Sequence, residues 1–132
     1  MFSRRFLRSV LPFWIAALIV GSFLPAEAKR AIGTQSGVRS HHNPGWPHRA
    51  WHIGTFGLTA LLVSLVHRSP GERVVMLGGV FGLGLAIESL QSLVFGVKFE
   101  WWDVRDDGYG ILATAAASQL HYIRSRLLSD SS

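Results

Sequence analysis

The sequence predicts an all-α integral membrane bundle of about four transmembrane helices, and three observations predict it. Hydrophobic residues make up 48% of the 132 and charged residues only 16%, against about a quarter charged in an ordinary soluble domain. The apolar residues gather into four long runs separated by polar or proline-containing stretches. Within those runs no polar stripe recurs at helical spacing. Residues 54–66 carry only Thr55, Thr59 and Ser64, and residues 74–87 carry no polar side chain. A soluble helix needs a water-facing side, whereas each charge at a bilayer centre costs roughly 3 kcal/mol.

The four runs fall at about 10–26, 50–66, 74–97 and 108–123, and the chain 1–132 reads as one domain. Arg4, Arg5 and Arg8 precede the first run, and Ala26-Glu27-Ala28 closes it with a small-x-small pattern. A secretory signal peptide has the same layout; retention of this segment as a helix is the expectation. The second run is near the lower limit of the roughly 17–25 residues that cross a bilayer. The third satisfies that length by itself. The fourth is short and rich in small residues.

Between the first two runs, the loop 27–48 holds Gly33, Gly37, Asn43, Pro44, Gly45 and Pro47 and is expected to be irregular. Its histidines His41, His42 and His48 are expected to be solvated there. Ser69-Pro70-Gly71 predicts a tight turn between the second and third helices. The basic start tips the orientation toward cytoplasmic termini, in a multi-pass protein of the inner (plasma) membrane.

Composition also excludes classes. Without cysteine, disulfides, thiol catalysis and zinc–thiolate sites are ruled out. The formal net charge of +5 comes from basic residues scattered among apolar runs, which fits lipid headgroups better than nucleic acid. No cofactor and no resident metal are expected.

Four helices in alternating directions bring the start of the second, the end of the third and the start of the fourth to one face. Most of the unusual polar residues lie there: Arg49 and His52, three apart on one helical side; Glu88 and Gln91, likewise; Lys98 and Glu100; and Asp103, Arg105, Asp106 and Asp107. Under the expected orientation this is the non-cytoplasmic face. Glu88 lies about nine positions before the end of its run, roughly 14 Å deep at 1.5 Å per residue. A carboxylate at that depth must face the bundle interior or a wet cavity, with Arg49 and His52 as expected partners. A proton-transferring pair and a structural ion pair weigh equally. Asp106 and Asp107, taken as lying at the helix start, are expected to cap it; a divalent cation on the carboxylates is the weaker alternative. Trp46, Trp51, Trp101 and Trp102 suit an interfacial belt at the same face. Gly78 and Gly82 form a GxxxG pair that permits close helix approach and oligomerisation.

In order and spacing these residues resemble the VanZ-like family of small bacterial membrane proteins. The resemblance runs through Gly21-Ser22-Phe23-Leu24-Pro25 at the end of the first helix and Arg49-Ala50-Trp51-His52 at the opening of the second. It continues through Glu88-Ser89-Leu90-Gln91, then Lys98 where the family often has Arg, and Asp103 and Gly110 of an Asp-x-x-x-Asn-x-x-Gly pattern. The Asn of that pattern is Asp107 here, an acceptor in place of an amide donor. The resemblance covers most of residues 11–117 and implies a four-helix fold, a retained first helix and a membrane location, but no reaction.

The function expected is binding or modification of a cell-envelope lipid or lipid-linked glycan at one membrane face. Glu88 and His52 are the candidate catalytic residues, and Arg49, Gln91, Lys98, Asp103 and Asp107 the candidate ligand-binding residues. The alternative is a non-enzymatic accessory or assembly protein whose polar cluster is structural and which docks a membrane protein partner.

Overall fold

The computed structural model describes residues 3–24, 45–67 and 69–129, with residues 121–129 described by backbone alone. Helix α1 spans Arg4–Ser22, α2 Trp46–Val66, α3 Pro70–Phe95 and α4 Trp101–Ser129, and no strand occurs among the described residues. The Ala26-Glu27-Ala28 pattern, His41 and His42 lie outside the described residues.

Every helix begins before its apolar run, because hydropathy marks where a chain is greasy and not where it is capped. At α1, Ser3 Oγ accepts a hydrogen bond from the Phe6 N–H at 3.2 Å. Helix α2 opens with Pro47 in its first turn, where a missing N–H costs no helical bond. The segment 46–48 therefore belongs to the helix and not to the loop, which corrects the expected start at 50. Ser69 caps α3, its Oγ accepting from the Glu72 N–H at 3.1 Å, with Pro70 next in the helix. The expected turn at 69–71 is thus a cap followed by a first turn. Gly96 ends α3 with φ 63°, a left-handed conformation that glycine adopts without strain. The largest correction is α4, which starts at Trp101 and not near 108. Asp103 lies in its first turn, and Asp106 and Asp107 lie beyond it, so they do not cap its free N–H groups.

Helix α2 is the centre, packing on α1, α3 and most broadly on α4. The α2–α4 contact is close because glycines meet there. A Cβ on Gly110 would collide with the Ile53 carbonyl oxygen and sit 2.9 Å from the Gly57 nitrogen. Across the same contact, Thr114 Oγ1 donates to the Gly57 carbonyl at 3.1 Å. Small residues at a helix crossing permit this backbone approach. Gly78 and Gly82 do not serve it: a Cβ on either meets nothing within 4 Å. Phe56, Ala60, Val63 and Ile111 fill the centre, joined by Leu11 and Leu18 from α1 and Val80 and Ile87 from α3. Helices α1 and α3 scarcely touch. They are joined by the Gln91 Nε2–H to Ser22 carbonyl bond at 2.7 Å and by the Phe23 and Phe95 rings, 6.1 Å apart.

The distribution of polarity is the reverse of a water-soluble protein's. Phe13, Val75 and Leu93 are 77%, 73% and 80% exposed, while Thr59, Ser64, Glu88, Asp103, Asp106 and Asp107 are buried. Acidic groups are among the residues least often buried in soluble proteins. Helices α1, α2 and α3 are each long and apolar enough to cross a membrane. Helix α4 is not among them: its first turns are acidic, and it is the longest helix without being the most apolar.

Candidate functional site

Three kinds of polar contact meet at the end of the bundle where α1 and α3 finish and α2 and α4 begin. The first is a charge cluster on the α2–α4 side. Asp106, with no exposed surface, accepts from Arg49 Nε–H at 2.9 Å and from Arg105 Nη2–H at 2.7 Å. The Arg105 guanidinium lies 4.3 Å from the Trp102 ring centre and 5.4 Å from that of Tyr109. Arg49 is therefore held by Asp106 and not by Glu88, the partner expected from sequence. It does not line the cavity described below. Two cations share one buried carboxylate, an arrangement that ties α2 to α4.

The second kind is a histidine–aspartate array. His48 and His52 are four residues apart, on successive turns and one side of α2, with ring centres 4.7 Å apart. His48 Nε2 lies 3.0 and 3.1 Å from the two carboxylate oxygens of Asp103. His52 Nε2 lies 3.4 Å from Asp103 Oδ2, and His52 Nδ1 lies 2.8 Å from Asp107 Oδ1. An ionised carboxylate only accepts, so the His52 Nδ1–H donates to Asp107. His48 is a site residue that sequence reasoning missed, having been assigned to a solvated loop. Its signal was available: Pro47 marks a helix start, and a start there puts His48 and His52 on one side.

The third kind belongs to α3. Glu88 is only 5% exposed, and its Oε2 accepts from the Glu100 N–H at 3.4 Å, tying the α3–α4 connection to α3. Among the described residues every buried side-chain polar atom has a hydrogen-bond partner, so this end is a satisfied network and not a packing defect.

These groups enclose a cavity of about 310 Å³, within the lower range of small-molecule pockets. His48, His52, Glu88, Gln91, Asp103 and Asp107 form its polar wall; Trp14, Ala17, Leu18, Phe56 and Ile87 form its apolar wall. Of the candidates taken from sequence, the fold brings His52, Glu88, Gln91, Asp103 and Asp107 together here. It leaves out Arg49, and also Lys98, which is exposed. Among the described residues no Lys or Arg lines the cavity. Trp14 was not anticipated; its Nε1–H donates to Thr59 Oγ1 at 2.8 Å, and the Thr59 hydroxyl donates in turn to the Thr55 carbonyl at 2.8 Å. A tryptophan in an apolar run gives no sign from sequence that its polar edge is used.

Gly84 shapes the same space. A Cβ there would come within 2.6 Å of Asp107 Oδ2 and 3.2 Å of the Phe56 ring. The site thus belongs to a helical bundle with an amphiphilic cavity at a helix-end face. No family model, no curated protein and no solved structure matches the chain.

Proposed function

We propose that this chain is a VanZ-like multi-pass protein of the bacterial inner membrane that binds the headgroup of a cell-envelope lipid or lipid-linked glycan. The observation that carries the proposal is the two-sided cavity, with titratable groups on one wall and aliphatic and aromatic groups on the other. An amphiphile presents those two chemistries in one molecule. The exposed apolar exterior and three long apolar helices support a bilayer as the surrounding solvent. The carboxylates and imidazoles of the polar wall, with no Lys or Arg beside them among the described residues, suit hydroxyl and amine donors, as on a sugar or an aminated headgroup, better than a bare anion. Glu88 is the group positioned to accept or deliver a proton there, with His52 and Asp103 across the cavity. Retention of α1 is part of the proposal, since α1 supplies Trp14, Leu18 and Ser22 to the walls.

Native mass spectrometry of the protein purified in mild detergent tests this. The wild type is expected to carry a co-purified amphiphile. Gly21→Phe fills the cavity from a position where an added Cβ meets nothing within 4 Å, and it is expected to lose that amphiphile while remaining folded. Glu88→Gln is expected to reduce retention or turnover at unchanged abundance. Equal retention by wild type and both variants sinks the proposal.

The accessory-protein alternative has one observation in its favour: Gly78, Gly79 and Gly82 leave a side of α3 on which an added Cβ meets nothing. It predicts loss of partner co-purification from a Gly78→Leu, Gly82→Leu double variant with the cavity intact.

A further inference from the structure

We propose that His48, His52 and Asp103 form a binding site for one divalent transition-metal cation of the zinc type. One ligand atom from each residue lies within 4.8 Å of the others. Both imidazoles turn the same atom, Nε2, toward the same carboxylate, at 3.0 and 3.1 Å for His48 and 3.4 Å for His52. Bonds of about 2.0–2.1 Å in a tetrahedral shell require ligand atoms roughly 3.4 Å apart, so the His52–Asp103 spacing already fits, the His48–Asp103 pair has to open slightly, and the two imidazole nitrogens start within 4.8 Å of each other.

The surrounding groups are arranged as the supporting shell of a metal would be. The His52 Nδ1–H is committed to Asp107 at 2.8 Å, which leaves the lone pair of the neutral ring on Nε2, facing Asp103. A lone pair and a carboxylate oxygen facing each other need either a proton or a cation between them. A histidine ligand whose far nitrogen donates to a carboxylate is the arrangement that fixes ring orientation and raises basicity at a metal. Asp107 is 2% exposed, and only a glycine at position 84 leaves it room. The site is therefore built in depth, from ligands to supporting group to the residue that makes space for it.

The donor set selects the ion. Two imidazoles and a carboxylate, with no thiolate in the chain, suit zinc and its first-row neighbours; calcium and magnesium prefer oxygen-only shells. All three ligands line the cavity, so the remaining coordination position opens into it. The site shares the cavity with the proposed function and needs no amphiphile for its own test.

The full-length, untagged protein in detergent micelles is stripped with a chelator and given zinc chloride. Bound metal is then counted by elemental mass spectrometry after desalting, and affinity is measured by competition with a chromophoric chelator. The expected result is one zinc per chain. His48→Ala, His52→Ala and Asp103→Ala are each expected to lose stoichiometric retention. Asp107→Asn should weaken binding roughly 10–100-fold. His67→Ala, at the opposite end of α2, should change nothing. If His52→Ala does not fold, His48→Ala decides, because its ring is partly exposed and its loss opens no core. Less than a tenth of a zinc per wild-type chain, or equal retention by His48→Ala, overturns the site. Amphiphile retained by stripped protein that takes up no zinc removes the metal site alone. Zinc uptake by protein that carries no amphiphile removes the headgroup proposal alone.

Discussion

The two ends of the bundle use polar residues in opposite ways. At the end where α1 and α3 begin, Ser3 and Ser69 cap helices from exposed positions, and Arg73 Nε–H donates to the His67 carbonyl at 2.8 Å. Those side chains serve the backbone. At the cavity end, Asp103, Asp106, Asp107 and Glu88 are buried and bind His48, His52, Arg49 and Arg105, with Glu88 on the connection. Capping needs neither burial nor a partner from another helix. Buried charge is costly to keep, and removing one partner of a buried pair typically costs about 3–5 kcal/mol. The cavity end therefore carries polarity that is costly to keep, and the proposal of a site there builds on that cost.

Substitutions can break or sharpen this contrast. The largest effect is expected at neither end but on the axis between them. Gly110→Leu drives a side chain into the Ile53 carbonyl and should cost about 3 kcal/mol or more, read as loss of folded protein by size-exclusion chromatography. Gly78→Leu, also a glycine to leucine change but facing open space, should leave the folded monomer intact. Next in size, Asp106→Ala removes the shared acceptor of Arg49 and Arg105 and should lower the thermal midpoint by roughly 10 °C, with the amphiphile still bound by the folded fraction. A loss of binding at unchanged midpoint would assign Asp106 to the site instead. The smallest effect belongs to Trp14→Phe. It deletes the donor to Thr59 Oγ1 and should cost about 1 kcal/mol, measured by thermal unfolding in detergent.

Much of the architecture was legible from hydropathy alone. Four helices, their order and the gathering of Glu88, Gln91, His52, Asp103 and Asp107 at one face follow from where the apolar runs begin and end. Hydropathy carries no information about where a helix is nucleated, so α4 was started seven residues late and its aspartates were assigned to capping. The same blind spot placed His48 in a loop, although Pro47 beside it is a start signal. Partner choice was harder still. Arg49 sits near Glu88 in any four-helix layout, yet Asp106 takes it, because α2 and α4 approach through Gly57 and Gly110 while α3 stands farther off. That close approach depends on which glycines meet. The glycine pair with the more familiar spacing, Gly78 and Gly82, is not the pair that meets.

The thin seam between α1 and α3 has a consequence for how the proposed site is reached. Among the described residues the backbone contact between α1 and α3 is sparse, with the Gln91 hydrogen bond and the Phe23–Phe95 pair across it, so it is the wall that would part at least cost. In a bilayer, a molecule already dissolved among the acyl chains would enter sideways without first passing through water. Occupancy would then follow the ligand's mole fraction in the membrane and not its concentration in the aqueous phase. Binding constants measured in micelles would shift as detergent dilutes the ligand, even with protein and ligand amounts held fixed.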